Sequence, residues 1–204
     1  MNIRILISLL FLFFAKISFA ENYVLTIGKE SYELSLDKEV RIKVGEHYVS
    51  AKLKQKDYLT YTTGNFSFEY PKQYSPSKSD LGGGIFQTAM MTPLGTVVLI
   101  QEYTNIDPSS LLDLMINEVT KEEREYGYKL ESRPLSTTLS DGTVLNGKVV
   151  TSKYKGSDIE RLFYTYGIKD SGLLIMTQID YEIASSGDED VINRLIKSLK
   201  VTMK

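Results

Sequence analysis

The chain has 204 residues, with 24 basic against 26 acidic side chains, one histidine and no cysteine. The missing thiols exclude disulfides, thiolate metal sites and thiol redox chemistry. The near-balance of interspersed charge offers no basic stripe of the kind that nucleic-acid binding needs.

The first element is MNIRILISLLFLFFAKISFA. Arg4 supplies a positive start, Ile5 to Ala15 an apolar stretch, and Ser18-Phe19-Ala20 the small residues that a signal peptidase inspects. Cleavage is expected between Ala20 and Glu21. As a helix, this stretch would span about 24 Å, short of the roughly 30 Å hydrocarbon core, and Lys16 interrupts it. An uncleaved membrane anchor is the alternative. With no cysteine to carry a lipid, the processed chain is expected to be exported, to the periplasm or beyond the cell, and not to span a membrane. A chain of this size can bury about 70% of its unfolded surface, so it needs no disulfides.

Residues 21–63 form the next segment. YVLTI and SYELSL flank a turn at Gly28-Lys29-Glu30, and KEVRIKV and HYVSAKL flank another at Gly45-Glu46. Val40, Ile42 and Val44 alternate with Arg41 and Lys43, a period of two with one wet face. These spacings predict a pair of β-hairpins. Hairpins alone are marginal, so they are expected to pack on the larger segment C-terminal to them or to make a small subdomain.

The third segment, 64–204, opens on FSFEYPKQY. A polar loop and the glycines of DLGGGIFQTAMM lead into a strand. TPLGTVVLIQEY comes after it, apolar on both sides at its centre and so expected inside the sheet. NIDPSSLLDLMINEVTKEEREYGYKL predicts one long helix, with Asp107 as N-cap, Pro108 in the first turn and Gly127 past the end. Its apolar stripe is Leu112, Met115, Val119 and Tyr126, widened by Leu111 and Ile116. Four alternating segments come next, separated by Ser140-Asp141-Gly142, Lys155-Gly156-Ser157 and Lys169-Asp170-Ser171-Gly172, which predicts an antiparallel meander. The chain closes on SSGDEDVINRLIKSLKVTMK, a helix whose stripe is Val191, Leu195 and Leu199, broadened by Ile192 and Ile196. The fold class is α+β: an antiparallel sheet flanked by two amphipathic helices, preceded by the hairpin pair.

The opening Phe66, Phe68, Tyr70, Pro71 and Tyr74, the Leu139-Ser140-Asp141-Gly142 turn and the Gly172 to Met176 strand resemble the Mog1/PsbP-like fold. Within it, they resemble the exported bacterial DcrB-type proteins. The resemblance covers residues 64–204. It implies a non-enzymatic α/β sandwich that binds another protein, with family members serving as assembly factors, chaperones and accessory subunits. Bacterial relatives are often lipoproteins, and this chain has no cysteine to match. The hairpins at 21–63 lie outside the pattern.

Few residues suggest chemistry. His47 sits in a hairpin turn with no Gly-x-Ser-x-Gly elbow in the chain. Gly82-Gly83-Gly84 lacks the lysine and the helix of a phosphate loop and is expected to be a flexible connector. Asp188, Glu189 and Asp190 complement the positive end of a helix dipole. No catalytic, metal or cofactor-binding residue is expected. Tyrosine is enriched, with 14 in the chain. Tyr154, Tyr164 and Tyr166 on the meander are the candidate partner surface, since tyrosine offers a large rigid face with a polar tip. Ordinary sheet tyrosines are the alternative.

These readings favour a periplasmic protein-binding module acting as accessory, chaperone or assembly factor. An immunity protein that neutralises a secreted antibacterial toxin is the alternative. A small-molecule or lipid binder and a hydrolase with an unrecognised carboxylate pair rank lower.

Overall fold

The structure is a computed structural model that describes residues 23–203, so Ala20, Glu21 and the rest of the signal segment lie outside the described residues. The chain divides into two compact units, one ending at Lys56 and one from Asp57 onward.

In the first unit, β1 (Tyr23–Ile27) pairs with β2 (Glu30–Leu34), and β3 (Glu39–Val44) with β4 (His47–Lys52). Both turns use glycine with positive φ, at Gly28 and Gly45, as a tight hairpin reversal demands. Leu34 and Ile42 are its buried apolar side chains. The Tyr32 hydroxyl donates to the Lys43 carbonyl and accepts from its N–H, both at 3.0 Å, tying one hairpin to the other.

The second unit begins earlier than the sequence suggests. A boundary at 63/64 would cut a hairpin, because β5 (Tyr58–Thr62) pairs antiparallel with β6 (Phe66–Pro71). With β14 (Lys200–Val201) on the far side of β6, these strands make a three-stranded sheet of their own. The FSFEY strand is therefore not part of the main sheet. Phe66 and Phe68 point inward and are fully buried, each contributing roughly 1.5–3 kcal/mol of apolar burial. Tyr74 packs at the edge of the same core, where its N–H closes the turn on the Pro71 carbonyl at 3.0 Å.

The main sheet has seven antiparallel strands. They are β7 (Ser77–Gly82), β8 (Ile85–Met91), β9 (Val97–Tyr103), β10 (Lys129–Thr138), β11 (Val144–Tyr154), β12 (Ser157–Ile168) and β13 (Ser171–Asp180). Their spatial order is β10-β11-β12-β13-β9-β8-β7. The meander and the interior place of β9 are as expected. β7 replaces the expected loop: Ser-Lys-Ser-Asp has neither β-propensity nor alternation, but an exposed edge strand needs neither. The glycines after it are not a slack connector. All three have positive φ, and a Cβ on Gly84 would stand 2.3 Å from the Thr104 hydroxyl. Glycine is required there by backbone and by space.

Helices cover both faces. Pro108–Leu111 form a 3-10 turn, followed by α1 (Leu112–Val119) and α2 (Lys121–Tyr126). The expected single helix breaks at Thr120, whose hydroxyl donates back to the Ile116 carbonyl at 2.7 Å. Asp107 caps the start by accepting from the Ser109 N–H at 2.8 Å, and Gly127 closes the end in the left-handed region, φ 101°. The last helix, α3 (Ser186–Ser198), lies on the opposite face with the small sheet. The alternation along β13 makes this explicit: Leu173 and Ile175 join the core under α3, while Leu174 and Met176 join the one under α1. The α+β class read from the sequence is the one observed. Among the described residues, no helix is long and apolar enough to cross a membrane.

Candidate functional site

The three candidate tyrosines do not meet. Tyr164 and Tyr166 share a face of β12, as their spacing requires, but that face is the inner one, packed with Phe66, Phe68 and Leu195. Tyr164 is only 4% exposed, and burial, then the Glu160 charge, lifts its phenol above the usual value. It is a core residue, and Tyr166 is half buried at the edge of that core. The misreading has a simple cause. Spacing of two identifies a shared face but not which face is covered.

Tyr154 stands elsewhere, at the end of β11. Its ring centroid is 5.1 Å from that of Tyr128 and 5.3 Å from that of Tyr126, within the range of favourable aromatic pairing. Periodicity places Tyr126 in the apolar stripe of the helix, yet it is 71% exposed. The break at Thr120 separates α2 from α1, and Gly127, in the left-handed region, ends α2 ahead of β10. Tyr126, Tyr128 and Tyr154 are thereby gathered as one half-exposed cluster at the sheet's end.

A bidentate ion pair fixes α2 in place. Arg161 on β12 meets Glu123 at 2.5 and 3.0 Å, and its Nε donates to Gln178 at 2.8 Å. Both side chains are largely removed from water. A double hydrogen bond of this kind carries direction as well as charge.

Lysines adjoin the tyrosines. Lys129 on β10 faces Lys153 on β11 in direct register. Like charges directly opposite on a strand pair destabilise it, and Lys153 is offset by Asp158 at 3.6 Å while Lys129 has no salt-bridge partner among the described residues. Lys155 occupies the β11–β12 turn with Gly156, both with positive φ, at 47° and 101°. Such a turn prefers Asn-Gly, and a lysine in the left-handed region costs about 1–2 kcal/mol. Its ammonium lies 5.0 Å from the Tyr154 ring centre, a cation–π distance. A cleft of about 480 Å³ opens here, bordered by Gly127, Lys129, Lys153, Tyr154, Lys155 and Asp158. Three ammonium groups against one carboxylate, beside rigid aromatic surface, make a place for an anionic group carried on an extended partner.

Sequence reasoning finds Tyr154 and misses its neighbours. Tyr126, Tyr128, Lys129, Lys153 and Lys155 come from three elements, and only the strand register unites them. One signal is available in the sequence: Lys155 in the slot where a hairpin turn prefers asparagine. His47 opens β4 as an exposed residue of the first unit.

No family model matches the chain, and no match to it is found among curated proteins. Solved structures similar to it include the cyanobacterial PsbP protein CyanoP from Synechocystis sp. PCC 6803. That match has 11% identity and a TM-score of 0.44, over 71% of this chain and 92% of that one. Another is a protein of Bacteroides thetaiotaomicron VPI-5482, at 11% identity and a TM-score of 0.37, over 72% of this chain. The match spans about half, 49%, of that protein's length. Neither likeness identifies a DcrB-type protein. The architecture rests on the strand order and registers described above.

Proposed function

We propose that this protein is an exported, non-enzymatic accessory module that holds an acidic segment of another protein. The observation that carries the reading is the cleft bordered by Tyr154, Lys129, Lys153 and Lys155, next to the half-exposed cluster that Tyr154 forms with Tyr126 and Tyr128. Tyrosines present large area at low entropic cost, and interfaces favour them. The lysines supply charge complementarity, which sets partner choice and association rate. Both features have a local cost, in the facing Lys129 and Lys153 and in the left-handed Lys155, that a bound carboxylate would offset. The export signal expected from the sequence, ending at Ala20, supports a periplasmic or extracellular setting.

The test is affinity capture from the compartment where the protein resides, with tagged protein from Glu21 onward. The comparison is a variant carrying Tyr126→Ala, Lys129→Ala and Lys155→Ala. The reading expects one near-stoichiometric protein that the variant no longer retains. A partner held equally by both would move the interface elsewhere. Capture of a toxin whose activity is thereby blocked would assign the module to immunity.

A further inference from the structure

On the opposite side of the main sheet from α1, a second pocket opens between β12, β13 and α3. It encloses about 280 Å³, below the roughly 300–1,000 Å³ of sites for drug-sized ligands, so it suits one side chain or a short aliphatic ion. Its walls are apolar, formed by Leu162, Ile179 and Ile192. Its polar lining is acidic, with Glu160 on the sheet and Glu189 on the helix. Among the residues bordering it there is no lysine or arginine, and neither carboxylate has a salt-bridge partner among the described residues.

Thr177 borders this space as well. Its side chain is fully buried, and its hydroxyl has no hydrogen-bond partner among the described residues. An orphaned buried hydroxyl costs on the order of 1–3 kcal/mol, so a threonine here calls for a polar occupant. Tyr181, at the rim, donates to Glu160 at 3.2 Å. Its phenol is raised by burial first and then by the negative charges of Glu160, Glu189 and Asp158, which registers the sign of the local field.

We infer that the pocket between β12, β13 and α3 binds a primary alkylammonium, the side chain of a lysine on a bound polypeptide. The methylene stem lies against Leu162, Ile179 and Ile192, as lysine stems do on apolar surface. The ammonium sits between Glu160 and Glu189, and one of its three donors reaches the acceptor lone pairs of the Thr177 hydroxyl. A carboxylate or phosphate is refused by the same two glutamates. The neighbouring Tyr181 and Ile183, both about half exposed, offer apolar surface on which the polypeptide carrying that lysine can rest. This site shares no lining residue with the lysine and tyrosine cleft and selects the opposite charge.

The test is a titration of the ¹⁵N-labelled full mature protein, followed by amide chemical shifts. The probes are n-pentylammonium, pentanoate, putrescine and the peptide Gly-Lys-Gly with blocked ends. Saturable shifts confined to residues 160–162, 177–181 and 189–193 are expected with pentylammonium and the peptide, and none with pentanoate. Glu160→Gln with Glu189→Gln should weaken binding at least tenfold. Thr177→Val, isosteric and apolar, should weaken it severalfold while leaving thermal stability unchanged or raised. Saturation by putrescine far below the peptide's concentration would replace the polypeptide with a free polyamine. Equal response to pentanoate, no saturable shift, or full binding by the double glutamine variant would overturn the proposal.

Discussion

Asp188 offers a stability prediction with a definite sign. It is the third residue of α3, buried, and closes a capping box with Ser185. The Ser185 N–H donates to its carboxylate at 2.9 Å and the Ser185 hydroxyl at 2.5 Å, while the Thr92 hydroxyl donates from the β8–β9 turn at 2.5 Å. Burial pushes this carboxyl up, but the Ser185 and Thr92 hydrogen bonds together outweigh it and hold the pKa at about 2 against the usual 3.8. At about 1.4 kcal/mol per unit, the shift corresponds to at most about 2.5 kcal/mol, and about 1–2 after discounting for solvent screening. Because the folded value is the lower one, the unfolded chain binds the proton more readily. The contribution is therefore complete above about pH 5 and is lost as pH falls through 3.8 towards 2. Asp188→Asn keeps an acceptor for the Ser185 N–H and removes the charge. Thermal unfolding followed by circular dichroism should show the variant about 3–6 °C lower at pH 7. That gap should narrow steadily between pH 5 and pH 2. A gap that stays constant over this range, or no gap at neutral pH, would refute the reasoning.

Three further outcomes are expected. Lys155→Asn should raise stability by about 1 kcal/mol, read as a higher midpoint in urea, because asparagine tolerates the left-handed turn, and it should weaken partner binding. Glu123→Ala should cost about 3–5 kcal/mol by stranding Arg161, whereas Glu123→Met with Arg161→Met should be far milder; calorimetry distinguishes the two. A chain starting at Asp57 should keep the thermal transition of the second unit. One starting at Gly64 loses β5, whose Tyr61 packs on Phe68 and whose Tyr58 donates to Asp190 at 2.7 Å, so its midpoint should fall by roughly 10 °C, the equivalent of about 3 kcal/mol or more.

The elements legible in the sequence are those with strong periodicity. The meander strands, the interior β9, the Asp107 and Gly127 caps and the apolar stripe of α3 all follow from local pattern and appear as read. The losses have physical causes. β7 is exposed on both sides, so selection for alternation is absent. Thr120 breaks a helix through one side-chain hydrogen bond that no periodicity reveals. The small sheet unites Phe66, Tyr58 and Val201 from the two ends of the unit, and only tertiary pairing brings them together. Pro134, in the middle of β10, is the one local sign that this strand is an edge. The candidate site is less legible for the same reason. Tyr154 stands out as an enriched residue type, but its lysine partners depend on register, and Tyr164 on which face the small sheet covers.

The functional reading stands or falls on whether the cleft between Tyr154, Lys129 and Lys155 holds an acidic segment. A titration of the ¹⁵N-labelled mature protein with a hexaglutamate peptide, repeated at raised salt, decides it. Saturable amide shifts are expected at residues 126–129 and 153–158, weakening as ionic strength screens the charges. An absence of saturable shifts, or shifts centred elsewhere and indifferent to salt, would contradict the assignment of this cleft.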